Sequence, residues 1–357
     1  MNITHVVALR LFNQHLTSQR TKDVTSLVTS FGAVQAQDYS AAKWALGLRL
    51  KNAVDNDIEE AFASGAILRT HVMRPTWHFV APADIRWLQQ LTAPRVLTIL
   101  RSAGKKLELD EPLYKRSNKL ITKALQGGAY LTRAEVETIL NKAGIITSDI
   151  RMVHFMMRAE LDGIVCSGPR RGKQFTYALI DERAPGTKSL TKDEALAELS
   201  KRFFTSHGPA TVQDFVWWSG LTLADARAGL DSVSSKLEKE TIDKMEYWWS
   251  PAAGFKKHGS PTAWLLPNYD EYSVAYKGRS LLFDMTKATT MPPRDFIFTN
   301  VIIIDGRVAG TWKRTFKKDQ VIISAEYYRS LSKAEKEAVA HAADNYGKFM
   351  ASKVIYK

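Results

Sequence analysis

Apolar positions recur at helical spacing near the start of the chain. Val7, Leu11 and Leu16 share a face over residues 4–16, and Val24, Leu27, Val28 and Phe31 do so from Asp23 to Phe31. Ala41 to Leu50 predicts another helix, and Asp57 to Ser64 a shorter one that Gly65 ends. The pattern then changes. From Ala66 to Val80 two strand-like runs are broken at Met73-Arg74-Pro75, and helices followed by a hairpin outline a winged helix. Pro82 is placed to open a further helix through Leu91.

The same order returns twice. Thr132 and Glu135 have capping-box spacing before a helix to Leu140, a turn at Lys142-Ala143-Gly144-Ile145 precedes a second helix from Ser148 or Asp149 to Leu161, and two strands flank the loop 168–173. Thr191 and Glu194 open a helix to Phe204, Thr211 and Asp214 one to Trp218, and Thr222 and Asp225 one to Leu230 or Val233. Strand-like segments then cover residues 262–267, 272–276, 300–305 and 308–313, the last pair joined at Asp305-Gly306. A helix capped by Ser332 and Glu335 carries Ala338, Ala342, Tyr346 and Phe349 as its buried stripe. The expected fold is α+β: three tandem winged helix-turn-helix units at 1–95, 96–185 and 186–260, then a strand-rich portion at 261–357 with a terminal helix.

One stretch falls between two predicted helices, Gly32-Ala33-Val34-Gln35-Ala36-Gln37-Asp38-Tyr39. In extended backbone, side chains at i and i+2 point the same way, so the amides of Gln35 and Gln37 could hold one water or one ligand edge. The alternative is that both satisfy helix ends.

Composition narrows the partners. Nine Trp and fifteen Phe in 357 residues, 45% of them hydrophobic, describe a globular protein, and a formal charge of +13 favours a polyanion, nucleic acid before an anionic membrane. A single cysteine, Cys166, excludes an intramolecular disulfide or a cysteine-cluster metal site and suits a cytoplasmic compartment. His5, Arg10, Asn13 and His15 interrupt the N-terminal apolar pattern, so neither a signal peptide nor a membrane span is expected. The eight histidines show no ligand spacing, and neither a metal nor another cofactor is expected.

Three sets of segments carry a resemblance: Gly32 to Gln37; Arg69 to Val80; and Leu265 to Tyr272 together with Val301 to Trp312. They resemble the winged-helix DNA-binding proteins that include the AlkZ-like and YcaQ-like DNA glycosylases. Gln35-Ala36-Gln37 is similar to the AlkZ-like motif, whereas the YcaQ-like branch has Asp for the second Gln. The resemblance spans nearly the whole chain and implies a monofunctional glycosylase. Its substrate would be alkylated purines in double-stranded DNA, some interstrand crosslinks included, and it would act as a monomer in the bacterial nucleoid. Gln35 and Gln37 would be catalytic, positioning a water against C1′ of a base that already leaves well.

Asp38 could act as base or stabilise the sugar cation, or could cap the helix near Ala41. His78, expected to alternate outward between Trp77 and Phe79, becomes a helper candidate only through the resemblance. Lys43, Arg69, Arg74, Arg170, Arg171 and Lys173 are the candidate DNA contacts. Trp217-Trp218 and Trp248-Trp249 could stack on bases, with core packing the simpler reading, and Asp270-Glu271 reads as structural ion pairing. The rival function is a non-catalytic winged-helix DNA-binding protein or regulator.

Overall fold

The computed structural model describes every residue except 1, 19–20, 149, 188, 253, 256–258, 260, 284–297, 319 and 357. Side-chain caps set most helix starts. Asn2 opens α1 (Ile3–Asn13) and Asp23 opens α2 (Val24–Phe31), which Gly32 ends at φ 82°. The short β1 (Val34–Gln35) follows, then α3 (Tyr39–Gly47), α4 (Asp55–Ser64), β2 (Leu68–His71), β3 (Trp77–Val80) and the long α5 (Ile85–Lys106). Next come α6 (Glu111–Leu125), β4 (Leu131–Thr132), α7 (Arg133–Lys142), α8 (Arg151–Leu161), β5 (Val165–Ser167), β6 (Thr176–Leu179) and a single turn, α9 (Ile180–Arg183). A third set comprises α10 (Lys192–Ser206), α11 (Val212–Ser219), α12 (Leu223–Val233), β7 (Glu238–Ile242) and β8 (Met245–Trp249). The remainder is β9 (Ala263–Leu266), the turn α13 (Glu271–Val274), β10 (Val301–Ile304), β11 (Arg307–Lys317), β12 (Gln320–Tyr327), α14 (Lys333–Phe349) and β13 (Lys353–Tyr356).

The sheets are small: β1-β3-β2, β4-β6-β5, the pair β7-β8, and a five-stranded sheet ordered β13-β12-β11-β10-β9. Where a strand was expected at 272–276, Asp270 turns the chain into α13 by accepting the Tyr272 N–H at 2.9 Å. The terminal helix buries Val339, Ala342, Ala343, Tyr346 and Phe349, with Ala338 only half-buried.

The expected unit boundaries do not divide the core. Helix α5 runs through residue 95 without a break, although Pro94 lies inside it. Phe31, Val34, Trp44 and Phe62 pack into one cluster with Leu265, Ile303, Trp312 and Phe349, so the first segment and the last share an interior. A second cluster joins Leu68 and Val72 to Phe203, Phe215 and Trp218. Gly220 sits under the β2–β3 turn at φ 70°, where a Cβ would meet the Met73 carbonyl oxygen at 2.3 Å. Only glycine lets α11 end that close to the turn carrying Arg74.

Candidate active site around Gln35 and Gln37

Seven residues, 32–38, link α2 to α3, and β1 lies among them. It pairs antiparallel with β3, setting Val34 opposite Phe79 and Gln35 opposite His78. The Ala36 N–H donates to the Trp77 carbonyl at 2.7 Å, and Arg69 Nε donates to the Ala36 carbonyl at 3.0 Å. The guanidinium of Arg69 lies between the rings of Trp77 and Phe175, 4.4 and 4.7 Å from their centroids. The motif backbone is therefore clamped from both strands of the first hairpin.

Each glutamine side chain meets a donor from that same hairpin. Arg74 Nη2 donates to Gln35 Oε1 at 2.9 Å, and the Trp77 N–H donates to Gln37 Oε1 at 3.3 Å. Gln35 is 7% exposed, whereas Gln37 is open to solvent. A carbonyl oxygen with one donor retains a second lone pair, and each amide retains its N–H pair. The two amides can thus present both acceptors and donors.

Beneath Gln35 lies a buried carboxylate. Glu271 Oε1 accepts the Gln35 backbone N–H at 2.7 Å, while its Oε2 accepts from Trp218 Nε1 at 2.9 Å and from His207 Nε2 at 3.2 Å. Burial by itself raises this carboxyl, but the His207 contact, the Gln35 N–H and Arg74 outweigh it and hold the group at about 2. Its neighbour Asp270 takes two bonds from Arg49, at 2.7 and 2.8 Å. The expected structural ion pairing is present, and Glu271 adds to it a direct hold on the glutamine motif.

Several sequence expectations change here. His78 does not point outward: it is fully buried on β3, its Nδ1 meets the Thr76 carbonyl at 2.9 Å, and burial, reinforced by Arg74, pushes its pKa down to about 3. It is neutral near pH 7 and unsuited to act as a charged helper. Asp38 caps α3, taking the Ala41 N–H and the Ser40 hydroxyl at 3.0 Å each, and its other oxygen accepts from Asn268 Nδ2 at 3.3 Å. Lys43 is buried against Asp55 and Glu59 at 2.7 and 2.8 Å, so it is not placed to meet a phosphate. Arg69 and Arg74 are committed to the motif, and Arg170 is half-buried against Glu59 and the rings of Tyr39 and Phe175. Arg171 and Lys173 do reach solvent, Arg171 with a 2.7 Å ion pair to Glu135. Trp218 is core, while Trp217 stays 41% exposed with its indole N–H on the Val274 carbonyl.

One feature went unread in the sequence. The outer ends of β11 and β12 form an exposed basic hairpin carrying Lys313, Lys317 and Lys318, with Phe316 51% exposed. Arg314 ties it to the site by donating to Ser40 Oγ at 3.0 Å. Alternation of Lys313, Thr315 and Lys317 along a strand was the available signal. Among the described residues no cluster of His, Cys, Asp and Glu could hold a metal, and no helix is long and apolar enough to cross a membrane.

A solved structure, the Streptomyces sahachiroi DNA glycosylase AlkZ, superposes with a TM-score of 0.77 at 19% identity, covering 100% of both chains, and so shares the fold. A curated relative from the same organism, named an interstrand DNA cross-link repair glycosylase, is 24% identical over 377 residues and 95% of each chain. The family model for AlkZ-like DNA glycosylases matches residues 28–349, which include the glutamine pair, the clamping hairpin and the basic β11–β12 hairpin. The chain belongs to the AlkZ-like DNA glycosylase family.

Proposed function

We propose that this chain hydrolyses the N-glycosidic bond of purines alkylated at N7 or N3 in double-stranded DNA, interstrand crosslinks included, with a water held by Gln35 and Gln37. The observation that carries this reading is that one hairpin fixes both amide oxygens, through Arg74 and the Trp77 N–H. An N7-alkylated purine bears a positive charge and leaves readily, so the enzyme has only to place water against C1′ and tolerate cationic character in the sugar. Two oriented amides supply that placement without a titrating base, and undamaged bases, which leave poorly, are spared. The burial of Lys43 between two carboxylates supports a monofunctional hydrolase, since a Schiff-base lyase needs a free amine beside the site. Arg171, Lys173 and the β11–β12 hairpin are the proposed phosphate contacts, and helix sets 111–179 and 192–249, each closed by a hairpin, the proposed winged modules.

The test is single-turnover excision from a duplex carrying N7-methylguanine, with heat and alkali revealing abasic sites. Gln37→Ala should lower the rate by about 100-fold while leaving lesion affinity and the unfolding midpoint in place, because Gln37 is exposed and its lost contact belongs to the transition state. An inactive native protein that still binds DNA would favour the non-catalytic reading. A Gln37→Ala protein losing rate and stability together would return the glutamine to the fold.

A further inference from the structure

A cavity of about 510 Å³, bordered by Arg69 and Trp77, opens between the first hairpin and the second helix set. Its walls are Trp77 from β3, Phe175 and Tyr177 at β6, and Val153, Met156 and Met157 from α8. Two residues join it to the glutamine motif: the Trp77 N–H reaches Gln37 Oε1 at 3.3 Å, and Arg69 Nη2 reaches the Gln37 carbonyl at 3.4 Å. That volume lies within the range of roughly 300–1,000 Å³ usual for small-molecule sites.

Several of the polar groups on these walls already have partners inside the protein. Ser167 Oγ accepts the Arg69 N–H at 2.8 Å, Thr176 Oγ1 donates to the Pro169 carbonyl at 2.5 Å, and the Glu160 carboxylate is engaged by the His71 ring and N–H. Trp77 is held between neighbours, its ring 4.5 Å from that of His71 and 4.4 Å from the Arg69 guanidinium. The larger share of the wall left to an occupant is aromatic and thioether surface, one part rigid and the methionine part adaptable. At the mouth stand Arg133 and Lys173, both exposed, whose charges suit the phosphates flanking a lesion.

We propose that this cavity receives a planar aromatic group from the damaged DNA while Gln37 faces the sugar. The group is either the alkylated purine turned out of the stack or an aromatic substituent carried by the alkylating agent. This rests on the glycosylase reading for its setting, and its recognition chemistry is stacking and apolar contact rather than base-edge hydrogen bonding.

Two measurements test it. In the first, the free bases 7-methylguanine and 7-benzylguanine are titrated calorimetrically into the native protein, Val153→Trp, which fills the cavity, and Tyr177→Ala, which removes a wall. Native binding weakened at least tenfold in both variants is expected, and no binding of either base to the native protein overturns the proposal. In the second, the native protein and Val153→Trp are compared for excision of N7-methylguanine and N7-benzylguanine from a duplex. Val153→Trp should cut removal of the benzyl lesion at least tenfold. An equal loss on the methyl lesion identifies the purine as occupant, and a smaller loss identifies the substituent. Unchanged excision of both lesions by a folded Val153→Trp overturns the proposal. If the native protein excises neither lesion, the glycosylase reading fails and calorimetry alone decides the cavity. If Val153→Trp does not fold, Tyr177→Ala decides by the same comparison.

Discussion

Replacing Glu271 by Gln should separate the support of the glutamine motif from its chemistry. The carboxylate is 1% exposed and accepts three N–H donors, from Gln35, Trp218 and His207. A glutamine of the same size keeps one acceptor oxygen but turns an N–H pair toward donors, leaving at least one of them unsatisfied in the interior. Breaking a buried arrangement of this kind costs roughly 3–5 kcal/mol. Acid provides a second measure. The folded carboxyl titrates at about 2 against an ordinary 4.5, so its contribution is complete above pH 4.5 and lost as pH falls towards 2. Urea unfolding at pH 7 and again near pH 3 should show a lower midpoint for Glu271→Gln at neutral pH, and a smaller loss on acidification than the native protein suffers. Excision should fall as well, since the Gln35 backbone loses its anchor. An unchanged neutral midpoint, or an acid slope as steep in the variant as in the native protein, would refute the assignment of Glu271 as an ionised anchor.

Three further outcomes follow from the placement of charge and exposed surface. Lys43→Ala should lower stability by about 1–3 kcal/mol, because Asp55 and Glu59 lose a buried partner but are themselves partly solvated, and should leave the salt dependence of DNA binding unchanged in filter-binding titrations. Arg171→Ala with Lys173→Ala should reduce the slope of log affinity against log salt by about one unit each, whereas Arg170→Ala should register in thermal unfolding instead. Phe316→Ala should leave the unfolding midpoint within about 0.5 kcal/mol, being on the surface, and weaken duplex affinity measured by fluorescence anisotropy.

Local chemistry made much of the fold legible. The capping boxes of Thr132 with Glu135, Thr191 with Glu194, Thr211 with Asp214 and Ser332 with Glu335 all start helices, since a cap is decided within four residues. Tyr272 to Tyr276 misled because apolar alternation over five residues fits a strand, while Asp270 decides the turn from just outside that window. The strands β12 and β13 pair in parallel at the sheet edge, and β13 comes after α14, so its partner could not be read from a neighbouring run. Contacts between the two ends of the chain were hidden for a related reason. Burial of Trp44 against Tyr346 and Phe349 joins residues more than 300 positions apart, and no feature of either segment announces the other.

The basic residues show the same limit most clearly, and with a functional consequence. A charge of +13 suggested that basic residues near the motif meet DNA, yet Arg69, Arg74 and Lys43 turn inward. Glutamine has no charge to steer it and no proton to exchange, so the pair proposed to place the water would act only through geometry. Geometry of that quality needs stiff supports, and charged hydrogen bonds in a dry interior are stiffer than neutral ones. Arg74 on one amide, Arg69 on the backbone and Glu271 on the Gln35 N–H supply them, the two arginines from the first hairpin and the carboxylate from a segment some 200 residues on. Charge spent this way is unavailable to the phosphates. The salt dependence of DNA binding should therefore be set by the exposed residues of the 168–173 loop and the β11–β12 hairpin, and fall well short of what the net charge implies.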